Sequence, residues 1–227
     1  MAVSTSQDFN LDIDFIIQEA FERLGGAPIT GEEAASARRT LNLILADWQN
    51  KGVLLWTTEL KTQTLVSTTA TYALGTSVSD VLQAVIRRTV NSVSTDIEMT
   101  RITKEEFQQI PNKATKGKPI QYAIHRERDQ PSIIVWPFPE NSTDQVRMWA
   151  VRRFFNFDNS SDDPDVPYRF LPPLCAGLAY HMSMKRSGIP PTTIQLLKQE
   201  YDISFGSAME EDRQRADLFI KPRIRVY

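Results

Sequence analysis

The sequence is poor in several residue types, and each scarcity excludes a class of protein. It has a single cysteine, Cys175, in 227 residues, so neither a disulfide framework nor a thiolate metal cage can form within one chain. Its 26 Lys and Arg residues against 28 Asp and Glu residues give a formal net charge of −2. Since no overall basic field attracts phosphates, tight nucleic-acid binding is disfavoured as the main activity.

The sequence also lacks a long apolar run. No stretch approaches the roughly 20 residues that a helix needs to span a bilayer, and the first ten residues have no basic segment followed by an apolar one. We therefore expect a soluble protein without a cleaved secretion signal. With 41% apolar residues, the chain can form one large domain or two small ones around a substantial core.

Sequence motifs of catalysis are missing as well: there is no nucleophile elbow, phosphate loop or dinucleotide glycine pattern. The histidines, His125 and His181, have no nucleophile or base at a suitable spacing, because a cysteine six residues away on one helix does not face its histidine. The acidic run 158–165 lacks the central glycine and distal glutamate of a calcium loop, which favours a solvated turn. The sequence predicts no catalytic residue, no cofactor and no metal site.

The sequence does contain two amphipathic helical patterns near its start. Thr30 and Glu33 form the pattern of a capping box, in which each side chain bonds the backbone N–H of the other residue, so a helix begins there. Apolar residues then recur every three or four positions up to Gly52: Ala34, Ala37, Leu41, Ile44, Leu45 and Trp48. The same period precedes Gly25-Gly26: Ile13, Ile16, Ile17, Ala20, Phe21 and Leu24. Residues 11–52 therefore predict a helical hairpin.

Between residues 60 and 157 the period changes to short β-type runs separated by turn residues, which indicates antiparallel strands. The candidate strands cover residues 63–66, 70–72, 81–90, 97–102, 120–125, 132–136 and 145–155. A second capping box, formed by Thr103 and Glu106, predicts a short helix over 104–110 that Pro111 ends.

The helical period returns after an acidic, proline-rich stretch. One predicted helix has Pro172 and Pro173 in its first turn, and a last helix, capped by Thr192 or Thr193, extends towards Arg215. Residues 217–227 mix apolar and basic side chains without a helical period, and we interpret them as an extended arm. Because this arm is too apolar to remain exposed, it either adds a strand to its own subunit or docks on another chain.

These patterns predict an α+β fold: a helical bundle with an inserted antiparallel β-rich domain and an extended C-terminal arm. The predicted divisions are an N-terminal helical hairpin at 1–58, a β-rich domain at 59–157 with its short helix at 104–110, C-terminal helices that complete the bundle at 158–216, and the arm at 217–227.

Several phrases of the sequence match one family in the same order along nearly the whole chain. They are LNLILADWQNKGVLLW, RITKEEFQQIPNKATKGKPIQYAIHRE, IIVWPFPENSTDQVRMWAVRR, FDNSSDDPDVPYRFLPPLCAGLAYHMSMKR and LKQEYDISFGSAMEEDRQRADLFIKPRI. Together they resemble the head-to-tail adaptor, or connector, proteins of short-tailed bacteriophages, which include tail accessory factors and proteins similar to tail tubular protein A.

This resemblance implies a structural virion protein rather than an enzyme. Such a protein assembles in the bacterial host cytoplasm as a homo-oligomeric, dodecameric ring that docks beneath the portal after DNA packaging. It joins the capsid to the tail nozzle and fibres at the neck of the virion, without a membrane. The ring forms part of the conduit for the genomic double-stranded DNA during ejection.

The resemblance also implies roles for particular residues. The arm is expected to dock on the portal through apolar and basic side chains: Phe219, Ile220, Arg223, Ile224, Arg225 and Tyr227. The helical core and ring scaffold are expected to include Leu41, Ile44, Leu45, Trp48 and Trp56. Local basic spots at 38–39, 87–88, 152–153 and the lysines at 113, 116 and 118 are ordinary surface in one subunit, but a ring repeats them as a belt that allows weak DNA contact.

Two other functions stay open at this level. A virion-associated cell-wall hydrolase would require a pair of buried carboxylates in a cleft. A DNA-packaging accessory protein would show salt-dependent DNA affinity as an isolated subunit.

Overall fold

The computed structural model describes residues 11–26, 29–53, 55–159 and 162–212. The chain forms two compact units, which we call the helical unit (residues 1–55 and 156–227) and the β-rich unit (residues 56–155). The helical unit is therefore built from both ends of the chain, and the β-rich unit is inserted between them. The predicted α+β class is confirmed.

The helices of the described residues are α1 Ile13–Arg23, α2 Gly31–Asn50, α3 Lys104–Gln109, α4 Leu171–Ser183 and α5 Pro191–Glu211. The strands are β1 Thr58–Thr64, β2 Thr71–Ala73, β3 Val78–Val90, β4 Val93–Glu98, β5 Thr100–Arg101, β6 Lys116–Gly117, β7 Gln121–His125, β8 Ser132–Trp136, β9 Phe138–Pro139 and β10 Gln145–Arg152. A short 3₁₀ turn, Tyr168–Phe170, leads into α4.

The first two helices form as their patterns predict. At the start of α2 the Glu33 backbone N–H donates to Thr30 Oγ1 at 3.2 Å, and the Thr30 N–H donates to Glu33 Oε2 at 3.0 Å, so the capping box is confirmed. The Thr30 backbone N–H and hydroxyl both bond the Glu33 carboxylate, and they lower its pKa because they stabilise its charged form. Gly52 ends the helix at a φ of +84°, a backbone conformation that glycine adopts without strain.

The last two helices differ from the prediction at one boundary. Pro172 and Pro173 lie in the first turn of α4, as expected, since their missing N–H groups would have no partner there. Helix α5 begins at Pro191, and no side chain caps it. The predicted caps Thr192 and Thr193 are therefore wrong. The fixed φ of proline already suits the first helical position, so the helix begins two or three residues earlier than those caps would place its start.

A cluster of aromatic rings joins α2, α5 and the 3₁₀ turn before α4 in the core of the helical unit. The Trp48 indole N–H donates to Tyr201 Oη at 2.9 Å, and the Trp48 ring lies 5.4 Å from Phe170 and 5.5 Å from Phe205, centroid to centroid. Helix α4 lies at the centre and is buried on almost every side, which explains why its sequence is apolar nearly throughout.

Gly177 of α4 allows this close packing. A Cβ atom at residue 177 would lie 2.9 Å from Cε2 and 3.1 Å from Cδ2 of Tyr201, whose ring is held by its bond to Trp48. We expect Gly177→Ala to lower the free energy of unfolding by about 1–3 kcal/mol, because overpacking exceeds the gain of about 1 kcal/mol in helix propensity. Urea unfolding followed by circular dichroism would measure the change.

Gly206 of α5 is the matched control. It is exposed within a helix, and a Cβ atom there would meet nothing within 4 Å. Gly206→Ala should therefore raise the free energy of unfolding by up to about 1 kcal/mol through helix propensity alone. If both substitutions shifted stability in the same direction, the contact with Tyr201 would not be the cause.

The first sheet of the β-rich unit is antiparallel, with the strand order β1-β10-β3-β4. Strands β3 and β4 form a hairpin whose turn is made by Asn91 and Ser92, both at positive φ. This conformation matches the twist of the two strands. Residues of β10 alternate, so that Val146, Met148 and Ala150 face the core.

The second sheet has the order β2-β8-β7-β5, and a small third sheet pairs β6 with β9. One apolar cluster draws on the first two sheets, with members such as Ile86 and Met148 from the first and Tyr122 and Val135 from the second. The sheets are not wholly antiparallel: β5–β7 and β6–β9 pair in parallel. The purely antiparallel prediction is corrected in these two short pairs.

Most predicted strands are found, with shifted ends. Strand β8 has the predicted bounds, and the capping box of Thr103 and Glu106 opens α3 as expected. Strand β1 lies at 58–64 instead of 63–66, and the predicted strand 97–102 is divided into β4 and β5 by the buried Met99. These differences occur where the strands are short or exposed.

Candidate assembly surfaces

The helical unit has an open apolar groove between α1 and α4, which we call the α1–α4 groove. Its volume is about 450 Å³. It is lined by Leu11, Phe15, Gln18, Glu19, Glu22, Arg23, Tyr168, Leu171, Pro172 and Cys175. Phe15 is 57% exposed and Tyr168 is 68% exposed, although both side chains are large and apolar or aromatic. Such exposure on one face is typical of a surface that another segment or chain covers.

The rim of this groove is acidic. Glu19 is ion-paired with Arg23 at 2.9 Å, and Arg23 also binds Glu200 of α5 at 2.6 Å, so this single cation is shared by two carboxylates. Glu22 accepts a hydrogen bond from the Gln18 side chain at 3.0 Å, and Asp14 lies exposed on the same helix. Carboxylates therefore outnumber cations along α1, and a basic partner would be attracted there.

A second exposed surface lies between α2 and the C-terminal end of α4, with Leu43 and Met184 among its exposed apolar residues. Lys185 donates to Thr40 Oγ1 at 2.6 Å across this surface. The pKa of His181 is lowered, chiefly by burial, while Asp47 opposes the shift and the nearby lysines add to it. His181 is thus a partly buried packing residue.

The two surfaces point in different directions. Helix α4 contributes Leu171, Pro172 and Cys175 to the groove and His181 to the second surface. His181 is roughly 130° around the helix axis from the mean direction of the other three, at 3.6 residues per turn. Leu196 and Ile203 are exposed on α5 as well. The helical unit therefore presents apolar residues on more than one face.

The β-rich unit has an exposed apolar patch on the outer face of its first sheet. Leu60 of β1 pairs directly with Trp149 of β10, and both are exposed. At the end of the β3–β4 hairpin Val90 and Val93 are exposed too, and every residue of β4 is exposed along this edge strand. An edge strand offers unpaired backbone groups to a partner chain.

Several of the predicted basic spots are engaged in ion pairs. Arg87 donates to the two carboxylate oxygens of Asp96 through Nε and Nη2, each at 2.6 Å. The shortest distances from Arg88 to Asp144 and to Glu140 are both 2.7 Å. These bonds raise the pKa of both arginines. Lys113 donates to backbone carbonyls of Gln108 and Ile110 instead. Such cations are less available to phosphates than their sequence suggests.

Cys175 and the acidic turn, which were considered as sites of catalysis or metal binding, have the surroundings of residues that stabilise the fold. Cys175 is buried, and burial raises the pKa of its thiol to about 11. In the acidic turn the carboxylate of Asp162 accepts hydrogen bonds from the backbone N–H groups of Asp158 and Asn159, which lowers its pKa. Within residues 11–26, 29–53, 55–159 and 162–212, no cluster of three or more His, Cys, Asp or Glu residues is placed to hold a metal ion.

The sequence pattern of the SU10 adaptor protein family matches residues 13–225 of this chain. The chain belongs to the SU10 adaptor protein family. This match covers both units and nearly the whole sequence. A search of the curated proteins returned no match.

Membership of this family identifies the protein as a phage head-to-tail adaptor. Such an adaptor is a structural component of the virion that assembles with other phage structural proteins. The prediction of a bacteriophage adaptor is thereby confirmed at the level of the family. No helix among the described residues is long and apolar enough to cross a membrane.

The predicted scaffold residues divide between the two units. Leu41, Ile44, Leu45 and Trp48 are buried in the helical unit, where α2 packs against α4 and Trp48 also contacts α5. Trp56 lies in the β-rich unit against Phe154, with 5.5 Å between ring centroids, so its assignment to the helical core is corrected. It follows the end of α2 by several residues, beyond the point where the helical period stops.

The predicted portal-docking residues, Phe219, Ile220, Arg223, Ile224, Arg225 and Tyr227, lie outside the described residues. Two exposed residues of the groove were not identified from the sequence. Phe15 lies on the polar face of α1, and Tyr168 lies in the 3₁₀ turn before α4. An apolar residue on the otherwise polar face of a helix is the signal that could have found Phe15.

Proposed function

We propose that this adaptor assembles as a ring, a dodecamer as in the short-tailed phage proteins it resembles, beneath the portal vertex after DNA packaging. There it joins the capsid to the tail nozzle and fibres and forms part of the DNA conduit. The observation that carries the proposal is the match to the SU10 adaptor protein family over residues 13–225.

The exposed apolar residues of the helical unit support ring assembly. A closed ring is built from heterologous contacts, in which one face of a subunit meets a different face of the next. The α1–α4 groove and the surface of Leu43 and Met184 lie on different sides of α4, as such contacts require. The buried stripe of α2, with Leu41 and Trp48, keeps these faces rigid.

The remaining contacts of the proposal involve the arm and the β-rich unit. Residues 217–227 dock on the portal, with apolar side chains in contact and arginines at the edge. The exposed patch of Leu60 and Trp149 and the edge strand β4 meet the tail nozzle or fibres. The formal net charge of −2 suits a conduit, since many phosphate contacts would hold the DNA in place.

The buried carboxylates give no support to a cell-wall hydrolase. The Asp144 and Asp212 side chains are both buried, but they lie in different units. Each is ion-paired with an arginine, Arg88 for Asp144 and Arg169 for Asp212. Each therefore faces a cation of its own unit, whereas glycoside hydrolysis needs two carboxylates that face each other.

The test is attachment to the purified portal ring of the same phage, measured by native mass spectrometry. We expect a discrete complex of portal and adaptor whose mass gives the number of subunits. Deleting residues 217–227 should abolish the complex, while circular dichroism and the urea midpoint show a folded subunit. Lys198→Glu, on the exposed face of α5, serves as the control with unchanged attachment. Attachment of the deletion variant at the level of the full chain would contradict the role of the arm.

A further inference from the structure

We propose that in the free subunit the C-terminal segment, residues 213–227, binds in the α1–α4 groove of its own chain. This contact concerns the isolated protein and goes beyond the proposed function. It would hold whether or not the same segment later attaches to a portal.

The end of α5 brings the segment close to the groove. Asp212, the last described residue, is ion-paired with Arg169, and the adjacent Tyr168 lines the groove. Residues 213–218 can reach about 20 Å when extended, at roughly 3.3 Å per residue. The α1 wall from Leu11 to Arg23 is about 18 Å long at 1.5 Å per residue. The segment can therefore enter the groove and follow its length.

The apolar content of the segment suits the groove. The groove exposes Phe15 and Tyr168, with Leu171 and Pro172 on its other wall. The segment contains five large apolar or aromatic residues within nine positions: Phe219, Ile220, Ile224, Val226 and Tyr227. Burial of both sets would remove apolar surface from water, which is favourable at roughly 25 cal/mol per Å².

The charges of segment and groove are opposite. The segment has five cationic side chains, Arg213, Arg215, Lys221, Arg223 and Arg225, against the single carboxylate of Asp217. The α1 wall has Glu19 and Glu22 against the single cation of Arg23, which is shared between two carboxylates. Opposite charges at the rim would fix the orientation of the segment in the groove.

The other segment joined in sequence to a residue of the groove is residues 1–10, which precede Leu11. It has one charged side chain, Asp8, and few large apolar residues. Because Asp8 has the same sign as the rim, this segment is a poorer match. The basic C-terminal segment is the occupant that the groove favours.

The experiment is photocrosslinking within the full-length protein in the absence of portal. Phe15→p-benzoylphenylalanine places the photoreactive group in the groove, and Leu43→p-benzoylphenylalanine places it on the other surface as the matched control. Equal amounts of ¹⁵N-labelled and unlabelled protein are mixed before irradiation. Mass spectrometry then identifies the crosslinked peptides and shows whether they come from one chain.

We expect crosslinks from residue 15 to residues 213–227 of the same chain, and at least fivefold fewer from residue 43. Adding Arg223→Glu and Arg225→Glu to the residue 15 variant should lower the yield at least fivefold, whereas adding Lys198→Glu should leave it unchanged. Crosslinks to residues 1–10, crosslinks between chains of different isotope, or no crosslink to 213–227 would each overturn the proposal. None of these outcomes depends on portal attachment, so the two proposals can fail separately.

Discussion

Replacing Trp48 with alanine should lower the free energy of unfolding of the helical unit by about 3–5 kcal/mol, the range typical of a buried aromatic residue. Trp48 is fully buried, at 0% exposure. Its indole N–H donates to Tyr201 Oη, and its ring packs against Phe170 and Phe205. The substitution therefore leaves a cavity where α2, the start of α4 and α5 meet. It also removes one hydrogen bond of the Tyr201 hydroxyl, which keeps its interaction with Lys51.

Urea unfolding followed at 222 nm measures this change, because the helical unit contributes most of the helical signal. Trp149→Ala is the matched control: Trp149 is 46% exposed on the first sheet of the β-rich unit, and its loss should change the free energy of unfolding by less than about 1 kcal/mol. Equal effects of the two substitutions would mean that Trp48 is not central to the packing of the helices.

Replacing Arg88 with alanine should lower the stability of the β-rich unit by about 3–5 kcal/mol. Arg88 makes three contacts with the carboxylate of Asp144, at 2.7–3.2 Å, and the Asp144 side chain is only 3% exposed. Without the arginine a buried negative charge keeps only the weaker bond from the Asn141 amide at 3.3 Å. The cost arises from this uncompensated charge rather than from the lost contact itself.

The neighbouring residue is the control. Arg87 makes an equally short pair with Asp96, but both side chains are about one-third exposed, at 31% and 37%. Arg87→Ala should therefore cost less than about 1 kcal/mol, since water replaces the lost partner. Adding Asp144→Asn to Arg88→Ala should restore at least half of the stability, because no buried charge remains. Chemical unfolding of all three variants would test this, and no recovery in the double variant would argue against the explanation.

The parts of the fold that could be predicted from sequence are those with a local physical cause. The side chains of Thr30 and Thr103 each bond a backbone N–H three residues ahead, so both capping boxes appear in the sequence as they do in the structure. Strand β8 is a short, largely apolar run bounded by Pro131 and Pro137, and its bounds were predicted correctly.

The parts that could not be predicted depend on distant residues. Strand β1 is mostly exposed, with burial too irregular to give a clear period, and it is fixed by pairing with β10 some 80 residues later. Strand β4 is exposed at every residue and forms because β3 pairs beside it. The parallel pairs β5–β7 and β6–β9 likewise join separate parts of the chain. Local propensity does not encode such pairings.

The same contrast between local and distant causes holds for the faces of the helices. The buried stripe of Leu41, Ile44, Leu45 and Trp48 follows from the period of one helix. The α1–α4 groove requires Phe15 and Tyr168, which are far apart in sequence and are brought together only by the packing of α1 against α4. A groove between two helices has no signature in either helix alone.

The insertion of residues 56–155 between the two parts of the helical unit has a consequence for biosynthesis. The β-rich unit is continuous in sequence, so all of it is synthesised before α4 and α5 are made. Domains generally fold as units during synthesis, with earlier ones first. Helices α1 and α2 must wait for α4 and α5, since Trp48 finds its partner Tyr201 only 153 residues later. The newly made chain therefore exposes the apolar stripes of α1 and α2 until synthesis is nearly complete, and this interval is when the subunit is most prone to aggregation.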